Sequence, residues 1–279
     1  MTKGQGKTVL ITGASAGIGF ATAELLLEKG WNVYAAARRV ERLEPLKNKG
    51  AQPLYLDVTN EASMVTAVDT LLEREDGIDA LVNNAGYGEY GALEDVPLDK
   101  ARYQFEVNVF GLARLTQLVL PTMREARAGR IINIGSIAGR FSLPMGGWYH
   151  ATKYAVEALS DALRLEVASF GIDVVLVEPG VIHSEWSDIS VQTLRESSAS
   201  GPYCDLARHV ADSFQQNYAK GGMGASPDVI ARLILDALEA PRPATRYRAP
   251  FHAKLFVMIS RLVPDRLLDM IKRQQLGIR

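Results

Sequence analysis

Tyr149 and Lys153 are the two residues in this sequence best suited to proton transfer. Positions i and i+4 lie on the same face of a helix, so the two side chains would be neighbours. A free phenol has a pKa of about 10, and a nearby ammonium group lowers it towards the range that is useful in acid–base catalysis. Ser136 follows an apolar run at residues 131–134, and its hydroxyl could hydrogen-bond a substrate oxygen. Taken alone, the Tyr–Lys spacing could arise by chance and Ser136 could be a turn residue.

A glycine-rich turn follows the first apolar run, residues 9–11, with glycines at Gly13, Gly17 and Gly19. Glycines allow a tight strand-to-helix turn and the close approach of a phosphate, while the helix N-terminus supplies partial positive charge. The spacing differs from the usual Gly-x-Gly-x-x-Gly dinucleotide fingerprint. An ordinary glycine-rich turn is the alternative, but the position after the first strand favours nucleotide binding.

Arg38 and Arg39 follow the second apolar run, residues 33–37. In a dinucleotide-binding fold, an acidic residue at this strand end binds the 2′-hydroxyl of the adenosine ribose, whereas an arginine accepts a 2′-phosphate. The alternative is that the two arginines begin a solvated, charged helix. The absence of an acid at the strand end favours the phosphate, more strongly for Arg38 than for Arg39.

Short apolar runs alternate with helical periodicity over the first two thirds of the chain. The predicted strands are residues 9–11, 33–37, 53–56, 80–82, 130–134 and 174–177, and the predicted helices are residues 18–28, 41–49, 62–75, 98–123 and 149–169. Short strands that are apolar on both faces and separated by helices predict a parallel sheet covered on both sides. The fold class is therefore α/β, a doubly wound parallel sheet (Rossmann fold) that binds ligands at the carboxyl ends of its strands.

The pattern changes after residue 180. Residues 181–224 are polar, with one or two short helical patterns, and Ser226 and Pro227 mark the start of a helix reaching about residue 238. A short strand is expected at residues 246–248, followed by an amphipathic tail over residues 251–277 that Pro264 interrupts. No long linker is evident, so residues 1–279 are predicted to form a single domain with a helical C-terminal extension at 250–279.

Composition excludes several classes of protein. The 279 residues carry 31 Lys+Arg and 32 Asp+Glu, a formal charge of −1, which gives no basic field for nucleic acid. Cys204 is the single cysteine and the four histidines lack metal-ligand spacing, so neither an internal disulfide nor a metal site is expected. No apolar run reaches the roughly 18 residues of a transmembrane helix, and no secretory signal pattern is present, so we expect a cytoplasmic protein.

Taken together, the motifs resemble those of the short-chain dehydrogenase/reductase family, in its single-domain, NADP-preferring branch. The motifs that occur in the order and spacing of the family are Thr12-Gly13-x-x-x-Gly17-x-Gly19, Asn83-Asn84-Ala85-Gly86, Asn108, Ser136, Tyr149-x-x-x-Lys153 and Pro179-Gly180. The match covers about residues 7–185, and the combination is far more specific than its parts. Ala37 occupies the position of the acid in NAD-preferring members and Arg38 follows it, which is similar to the NADP-preferring arrangement.

The resemblance implies roles for particular residues. Ser136 would polarise a carbonyl, Tyr149 would exchange the proton, Lys153 would hold the nicotinamide ribose and lower the tyrosine pKa, and Asn108 would hold a water that links Lys153 to solvent. The cofactor-binding residues would be Gly13, Ser15, Gly17, Ile18, Gly19, Arg38, Arg39, Asp57, Val58, Asn84, Ala85, Gly86, Tyr149, Lys153, Pro179, Gly180, Ile182 and Ser184. Residues 187–225, which match no motif, would cover the substrate pocket.

The prediction for function is an NADP(H)-dependent oxidoreductase that interconverts a ketone or aldehyde and its alcohol by hydride transfer. Relatives that handle lipids, retinol and steroids carry a similar helical extension, which favours a hydrophobic substrate. By resemblance, the helices at 98–123 and 149–169 would pair two chains in a homodimer or homotetramer. The alternatives are a non-catalytic NADP(H) sensor or scaffold and a nucleotide-sugar epimerase or dehydratase of the extended branch.

A few other residues have two interpretations each. His150 would be structural or exposed, because neighbours on a helix point away from each other. Cys204 would be a packing or surface residue. Trp148 and Trp186 would bracket the pocket as walls for an apolar substrate, or pack in the core. The tail would pack over the pocket or against another subunit, and peripheral contact with a membrane is the alternative.

Overall fold

A parallel sheet forms the centre of the computed structural model, which describes residues 6–218 and 222–276. Its strands are β1 (Thr8–Thr12), β2 (Asn32–Ala37), β3 (Gln52–Tyr55), β4 (Ala80–Asn83), β5 (Gly129–Ile134), β6 (Ile172–Pro179) and β7 (Arg246–Ala249). Their spatial order is β3-β2-β1-β4-β5-β6-β7, and every neighbouring pair is parallel. The order turns back on itself between β1 and β4, where doubly wound sheets open a crevice for ligands. The predicted fold class is confirmed.

Helices cover both faces of the sheet. They are α1 (Gly17–Glu28), α2 (Glu44–Lys47), α3 (Glu61–Leu72), α4 (Leu98–Phe105), α5 (Gly111–Ala126), α6 (Gly147–Val167), α7 (Glu185–Ser198), α8 (Cys204–Tyr218), α9 (Pro227–Glu239), α10 (Phe251–Leu262) and α11 (Asp265–Gln275). Ser226 caps α9 through its side chain and Pro227 opens the helix, as the sequence predicts. The break at Pro264 between α10 and α11 also agrees with the prediction.

Two predicted helices differ from the observed ones. The continuous helix predicted over residues 98–123 is interrupted by a π-helical turn, Glu106–Phe110, between α4 and α5. A π turn accommodates one extra residue and is common at functional sites. The helix predicted over residues 41–49 is a 3₁₀ turn, Val40–Leu43, followed by the short α2, because Pro45 belongs in the first turn of a helix.

The strands are buried on both faces, which explains their unbroken apolar runs. Side chains alternate across β1: Val9 and Ile11 pack in one core with α1 and α9, whereas Leu10 packs in another with α3 and α5. All five residues of β1 are buried, and the exposed fractions of Val9, Leu10 and Ile11 are 0%. The sheet is therefore a rigid base whose carboxyl edge carries the turns described below.

A cluster of buried charges joins β6, β7 and α6. The Glu178 side chain is 0% exposed, and its carboxylate contacts Arg140 at 3.0 Å, Arg246 at 3.2 Å and also Arg248. Glu157 on α6 contacts Arg140 at 2.5 Å and Arg246 at 3.2 Å. Burial, followed by repulsion from Glu178, raises the pKa of Glu157 to about 7. Hydrogen bonds from Arg248 and Arg140 outweigh burial and hold the pKa of Glu178 below its usual range.

The C-terminal extension packs against the last strand of the sheet. Ala253 and Val257 of α10 are buried, and α10 follows directly on β7. Among residues 6–218 and 222–276, no helix combines the length and the apolar character that crossing a membrane requires. Residues 1–5 and 277–279, and residues 219–221 of the predicted pocket cover, lie outside the described part of the chain.

Candidate active site

A cavity of about 810 Å³ opens at the carboxyl edge of the sheet. Most of the residues that the sequence singles out line it, and they are Gly13, Ser15, Gly17, Ile18, Arg38, Arg39, Asp57, Val58, Asn84, Ala85, Gly86, Ser136, Tyr149, Lys153, Pro179, Gly180, Ile182 and Ser184. Gly19 and Asn108 are not among the lining residues. The sheet thus brings together residues that are more than 150 positions apart in sequence.

Gly13 and Gly19 hold the first turn close to the segment after β4. Gly13 has φ +65°, and a Cβ added to it would lie 2.9 Å from the Asn84 Nδ2. A Cβ on Gly19 would lie 2.5 Å from that nitrogen and 2.5 Å from the Gly13 carbonyl oxygen, so only glycine fits at this position. Gly19 therefore acts through packing, although the sequence interpretation grouped it with the residues that contact the cofactor.

Asn84 joins the ends of β1 and β4. Its side-chain amide donates to the carbonyl oxygens of Thr12, at 2.9 Å, and Gly13, at 3.2 Å. In return, the Thr12 hydroxyl accepts hydrogen bonds from the backbone N–H groups of Asn84 and Ala85, both at 3.0 Å. The neighbouring Asn83 points into the sheet interior, where it donates to Asn133 at 2.9 Å.

The N-terminus of α1 is suited to a phosphate-containing ligand. Its N-cap residue, Ala16, has no side chain that could cap the first backbone N–H groups. Gly17 has φ +57°, and a Cβ there would stand only 3.2 Å from the Cβ of Ser184, the N-cap residue of α7. Free amides, a helix dipole and a turn without side chains fit the diphosphate of a dinucleotide.

The end of the cavity at β2 and β3 carries the predicted phosphate-binding arginines. Arg38 Nη1 donates to the Tyr103 hydroxyl at 3.0 Å. Arg39 instead contacts Glu185, the first residue of α7, at 3.2 Å, and Arg42 contacts the same carboxylate at 2.7 Å. The two predicted arginines therefore differ, because Arg39 has an anionic partner in the protein and Arg38 has a neutral one.

Tyr149 is buried, with 7% of its surface exposed, in the middle of the cavity wall. Burial raises the pKa of Tyr149 to about 12, and a hydrogen bond with Ser136 acts in the opposite direction without offsetting it. The lowered pKa expected from the resemblance is not what this arrangement produces. Burial leaves a phenol that is fully protonated at neutral pH and can donate its proton to a substrate oxygen.

Lys153 lies one helical turn after Tyr149, and its Nζ is 5.9 Å from the centre of the tyrosine ring. The ammonium group donates to the Ile134 carbonyl oxygen at 2.9 Å. Burial lowers the pKa of Lys153 to about 8, because the charged form is poorly solvated there. Tyr149 and Lys153 thus share one helix face and one cavity, as the spacing predicts.

Asn108 lies on the π turn and supports this wall from behind. Its amide donates to the Tyr87 carbonyl oxygen at 2.9 Å and to the Thr152 hydroxyl at 3.1 Å, and its Oδ1 accepts from the Tyr87 N–H at 3.0 Å. The Thr152 hydroxyl in turn donates to the Tyr149 carbonyl oxygen at 2.7 Å. Asn108 therefore ties α6 to the segment after β4.

Aromatic rings form part of the cavity wall. Tyr90 lies 5.6 Å from Tyr149 between ring centres, and Trp186 lies 5.1 Å from Tyr149. Phe214 and Tyr218 of α8 complete the group, with Phe214 at 5.1 Å from Tyr90 and Tyr218 at 6.1 Å from Trp186. This surface favours an apolar substrate.

The interpretation of the two tryptophans as walls of the pocket agrees with the structure for Trp186 and is wrong for Trp148. Trp186 lines the cavity, but Trp148 does not, because its ring packs on Phe105 instead, 6.5 Å between centres. Trp148 precedes Tyr149 directly, and neighbours on a helix point in different directions.

His150 is structural and buried. Its Nδ1 lies 2.9 Å from the Ala138 carbonyl oxygen, and its Nε2 accepts from the Leu143 N–H at 3.1 Å. Burial lowers the pKa of His150. Cys204 is half-buried at the start of α8. In the described part of the chain, no three His, Cys, Asp or Glu side chains are grouped so that they could hold a metal ion.

Sequence reasoning missed several residues of this cavity. Tyr90, Phe214, Tyr218 and the tail residue Phe256 line it, and Glu185 holds Arg39. Aromatic residues are frequent in any core, and their spacing along the chain carries no signal for a wall built from separate segments. Glu185 follows Ser184 directly, and only the fold shows that it faces the turn after β2.

Comparison with known proteins agrees with this geometry. The sequence pattern described as short chain dehydrogenase matches residues 7–194. The chain is 35% identical to the 3-ketodihydrosphingosine reductase of Bacteroides thetaiotaomicron, over 99% of this chain and 100% of that protein. It is 34% identical to the NADPH-dependent 3-dehydrocapnine reductase of Ornithobacterium rhinotracheale, over 94% of each chain.

A solved structure has a similar fold. The short chain dehydrogenase/reductase from Burkholderia phymatum in complex with NAD superimposes with a TM-score of 0.79. It is 26% identical, and the match covers 92% of this chain and 94% of that one.

The buried Lys153 predicts a pH dependence of stability. Its pKa is about 8 in the folded state and 10.5 when unperturbed, so the unfolded chain binds more protons between these values and Lys153 makes stability rise with pH. From pH 7.5 to 9.5 we expect the free energy of unfolding to rise by about 2 kcal/mol more in the wild type than in Lys153→Met. Urea unfolding of both proteins at both pH values measures this difference. An equal change in the free energy of unfolding in the two proteins would contradict the burial of the Lys153 ammonium group.

Proposed function

The chain belongs to the short-chain dehydrogenase/reductase family, and we propose that it is an NADP(H)-dependent enzyme that interconverts a hydrophobic ketone or aldehyde and its alcohol. Named relatives of the chain are reductases, and the chain is an oxidoreductase acting on CH–OH or carbonyl groups. The observation that carries the proposal is the meeting of Ser136, Tyr149 and Lys153 in one cavity between a glycine turn and an aromatic wall.

The proposed chemistry divides the work among three side chains. When bound, the nicotinamide cofactor supplies or accepts the hydride. In reduction, the phenol of Tyr149 would donate its proton to the substrate oxygen, and the hydroxyl of Ser136, which lines the same cavity, would donate a hydrogen bond to that oxygen. Lys153 would hold the nicotinamide ribose beside Tyr149. In oxidation, the ionised form of Tyr149 would accept the proton instead.

The choice of NADP(H) rests on Arg38. No acidic residue stands at the end of β2 to bind a 2′-hydroxyl, and Arg38 lines the cavity there with the neutral Tyr103 as its partner. Arg38 contacts no carboxylate among residues 6–218 and 222–276, so its guanidinium is free to bind a 2′-phosphate in a bidentate manner. The relative from Ornithobacterium rhinotracheale is named as NADPH-dependent, which supports the same choice. Arg39 and Arg42, held by Glu185, would supply background positive charge.

The remaining site residues would contact different parts of the cofactor. Gly13, Ser15, Gly17 and Ile18 would cradle the diphosphate, with Gly19 allowing the close packing behind them. Asp57 and Val58 would contact the adenine, and Asn84, Ala85 and Gly86 the adenosine ribose. Pro179, Gly180, Ile182 and Ser184 would flank the nicotinamide.

We further propose that the described elements act as one domain and that the chain forms a homodimer or homotetramer. Residues 187–225 supply most of α7 and all of α8, and the rings of Phe214 and Tyr218 on α8 would cover the substrate together with Trp186. The surface of α6 exposes Tyr154, Leu159 and Leu165, with 46%, 41% and 76% of each residue accessible, and the π turn exposes Phe110 at 55%. Apolar residues on these helices suit a helix-pairing interface between two chains.

The outer face of the tail has the chemistry of a membrane-contact surface. Phe251, Leu255, Met258 and Leu262 follow the spacing of one helix face, with exposed fractions of 78%, 43%, 53% and 76%. Lys254 on the same helix is also exposed, as is Arg266 on α11. Exposed apolar residues beside cations suit peripheral contact with an anionic lipid surface.

The first prediction concerns the proton donor. Tyr149→Phe removes the proton but keeps the ring that packs on Tyr90, so we expect turnover to fall at least about 1000-fold while NADPH still binds. NADPH oxidation with a panel of ketones and aldehydes measures turnover, and fluorescence titration measures binding. Tyr154→Phe, on the exposed side of α6, is the matched control. Near-normal turnover in Tyr149→Phe would refute the mechanism, and no turnover by the wild type with any carbonyl would favour a non-catalytic sensor.

The second prediction concerns the choice of cofactor. Arg38→Asp replaces a phosphate-binding cation with an acid that can accept a ribose hydroxyl, so the ratio of kcat/KM for NADPH to that for NADH should fall about 10- to 100-fold or more. Arg232→Asp, an exposed change on α9, should leave the ratio unchanged. An unaltered ratio in Arg38→Asp would show that another residue recognises the phosphate.

The third prediction concerns the tail. The double variant Phe251→Ser/Leu262→Ser should lose most of its binding to vesicles containing phosphatidylserine, and wild-type binding should weaken as salt is raised. Co-sedimentation measures binding, and light scattering checks that the variant keeps the assembly of the wild type. Leu93→Ser removes an equally exposed leucine away from the tail and should bind like the wild type. Equal binding by all three proteins would exclude the tail surface.

A further inference from the structure

Lys272 is a cation of the cavity wall that the proposed reaction does not use. It lies on α11, and its side chain is only 14% exposed. Lysine is rarely so buried unless it is paired. Its partner in the described part of the chain is Asp269, with Nζ and Oδ1 3.8 Å apart, at the limit of an ion pair, and the Asp269 side chain is 66% exposed to solvent. The side chain is therefore largely withdrawn from water, and its carboxylate partner lies at the limit of an ion pair.

Lys272 stands at the substrate end of the cavity. Its helix belongs to the tail that packs beside β7, whereas Arg38 and Asp57 follow β2 and β3 at the opposite edge of the sheet. Phe256 of the preceding helix contacts Phe141, 4.4 Å between ring centres. Lys272 is thus remote from the place where a 2′-phosphate would bind.

The position of Lys272 relative to Tyr149 follows from His150. Phe141 lies 5.8 Å from the His150 ring, and His150 is the neighbour of Tyr149 in α6. The positive charge of Lys272 adds to burial in lowering the pKa of His150, so the two groups are close enough to interact. Lys272 and Tyr149 both line the cavity, and the ring centres of His150 and Tyr149 are 6.0 Å apart, so the cation lies on the Tyr149 side of that cavity.

The surroundings of Lys272 make it a selective binding group. Four apolar residues line the cavity together with Lys272, and they are Phe141, Leu143, Phe256 and Leu276. In such surroundings a charge–charge contact is much stronger than in bulk water, and an ammonium ion binds carboxylate or phosphate oxygens well. A ligand that fills this part of the cavity with apolar atoms would place an acidic group at Lys272.

We propose that Lys272 binds an anionic group of the substrate, so that the preferred substrates are carbonyl or hydroxy compounds that carry an acidic group on an apolar chain. This inference rests on the proposed oxidoreductase function. It assigns the C-terminal extension a direct part in substrate recognition, beyond covering the cavity.

The test compares charged and neutral forms of one substrate. Keto carboxylates are compared with their methyl esters, and keto alkyl phosphates with their dimethyl esters, each by kcat/KM with NADPH. In the wild type we expect the anion to be preferred, and Lys272→Met should reduce the ratio of anion to ester about 10- to 100-fold. Lys272→Arg should keep the preference. Arg273→Met removes the adjacent, exposed cation of α11 and should leave the ratio as in the wild type.

The outcomes separate this inference from the proposed function. Reduction of the esters together with an unchanged ratio in Lys272→Met would overturn the role of Lys272 and leave the oxidoreductase function intact. Failure to reduce any member of the panel would count against the function. In that case calorimetry with a long-chain carboxylate and the matching alcohol decides the inference: tighter carboxylate binding that is lost in Lys272→Met supports it, and equal binding overturns it.

Discussion

The site depends on the hydrogen bonds that join the end of β1 to the end of β4. Asn84 donates to the carbonyl oxygens of Thr12 and Gly13, and the Thr12 hydroxyl accepts from the backbone that follows β4. Two parallel strands leave a crevice where their chains diverge, and these bonds fix its width. Because Gly19 has no side chain, α1 can start against this junction and direct its free N–H groups into the cavity.

Much of the fold follows from local rules that act within a few residues. Strands buried on both faces require uninterrupted apolar runs, and the runs at β1, β2, β5 and β6 mark their positions closely. Residues four positions apart lie on the same face of an α-helix in any fold, so the spacing of Tyr149 and Lys153 places both side chains on one face. No local rule predicts the π turn at Glu106–Phe110, where Asn108 contacts Tyr87 and Thr152, which are distant in sequence.

The rest of the site arises from contacts between distant segments. Glu185 meets Arg39 and Arg42, about 145 positions away, only because α7 returns over the turn after β2. The wall of Tyr90, Trp186 and Phe214 is assembled from three segments that carry no shared pattern. The pKa of Tyr149 also depends on contacts that the sequence does not show. The resemblance implies a neighbouring ammonium group that lowers this pKa, but the burial that raises it is a property of the packed chain.

The buried charge cluster around Glu178 has a consequence for the order in which the chain folds. Glu178 precedes Arg248 by 70 residues, so Arg246 and Arg248 leave the ribosome after the residues that they join. Until β7 docks, the carboxylates of Glu157 and Glu178 face each other with Arg140 alone between them, and burying them in that state is costly. Burial of the two carboxylates beside β6 is therefore favourable only once β7 supplies Arg246 and Arg248.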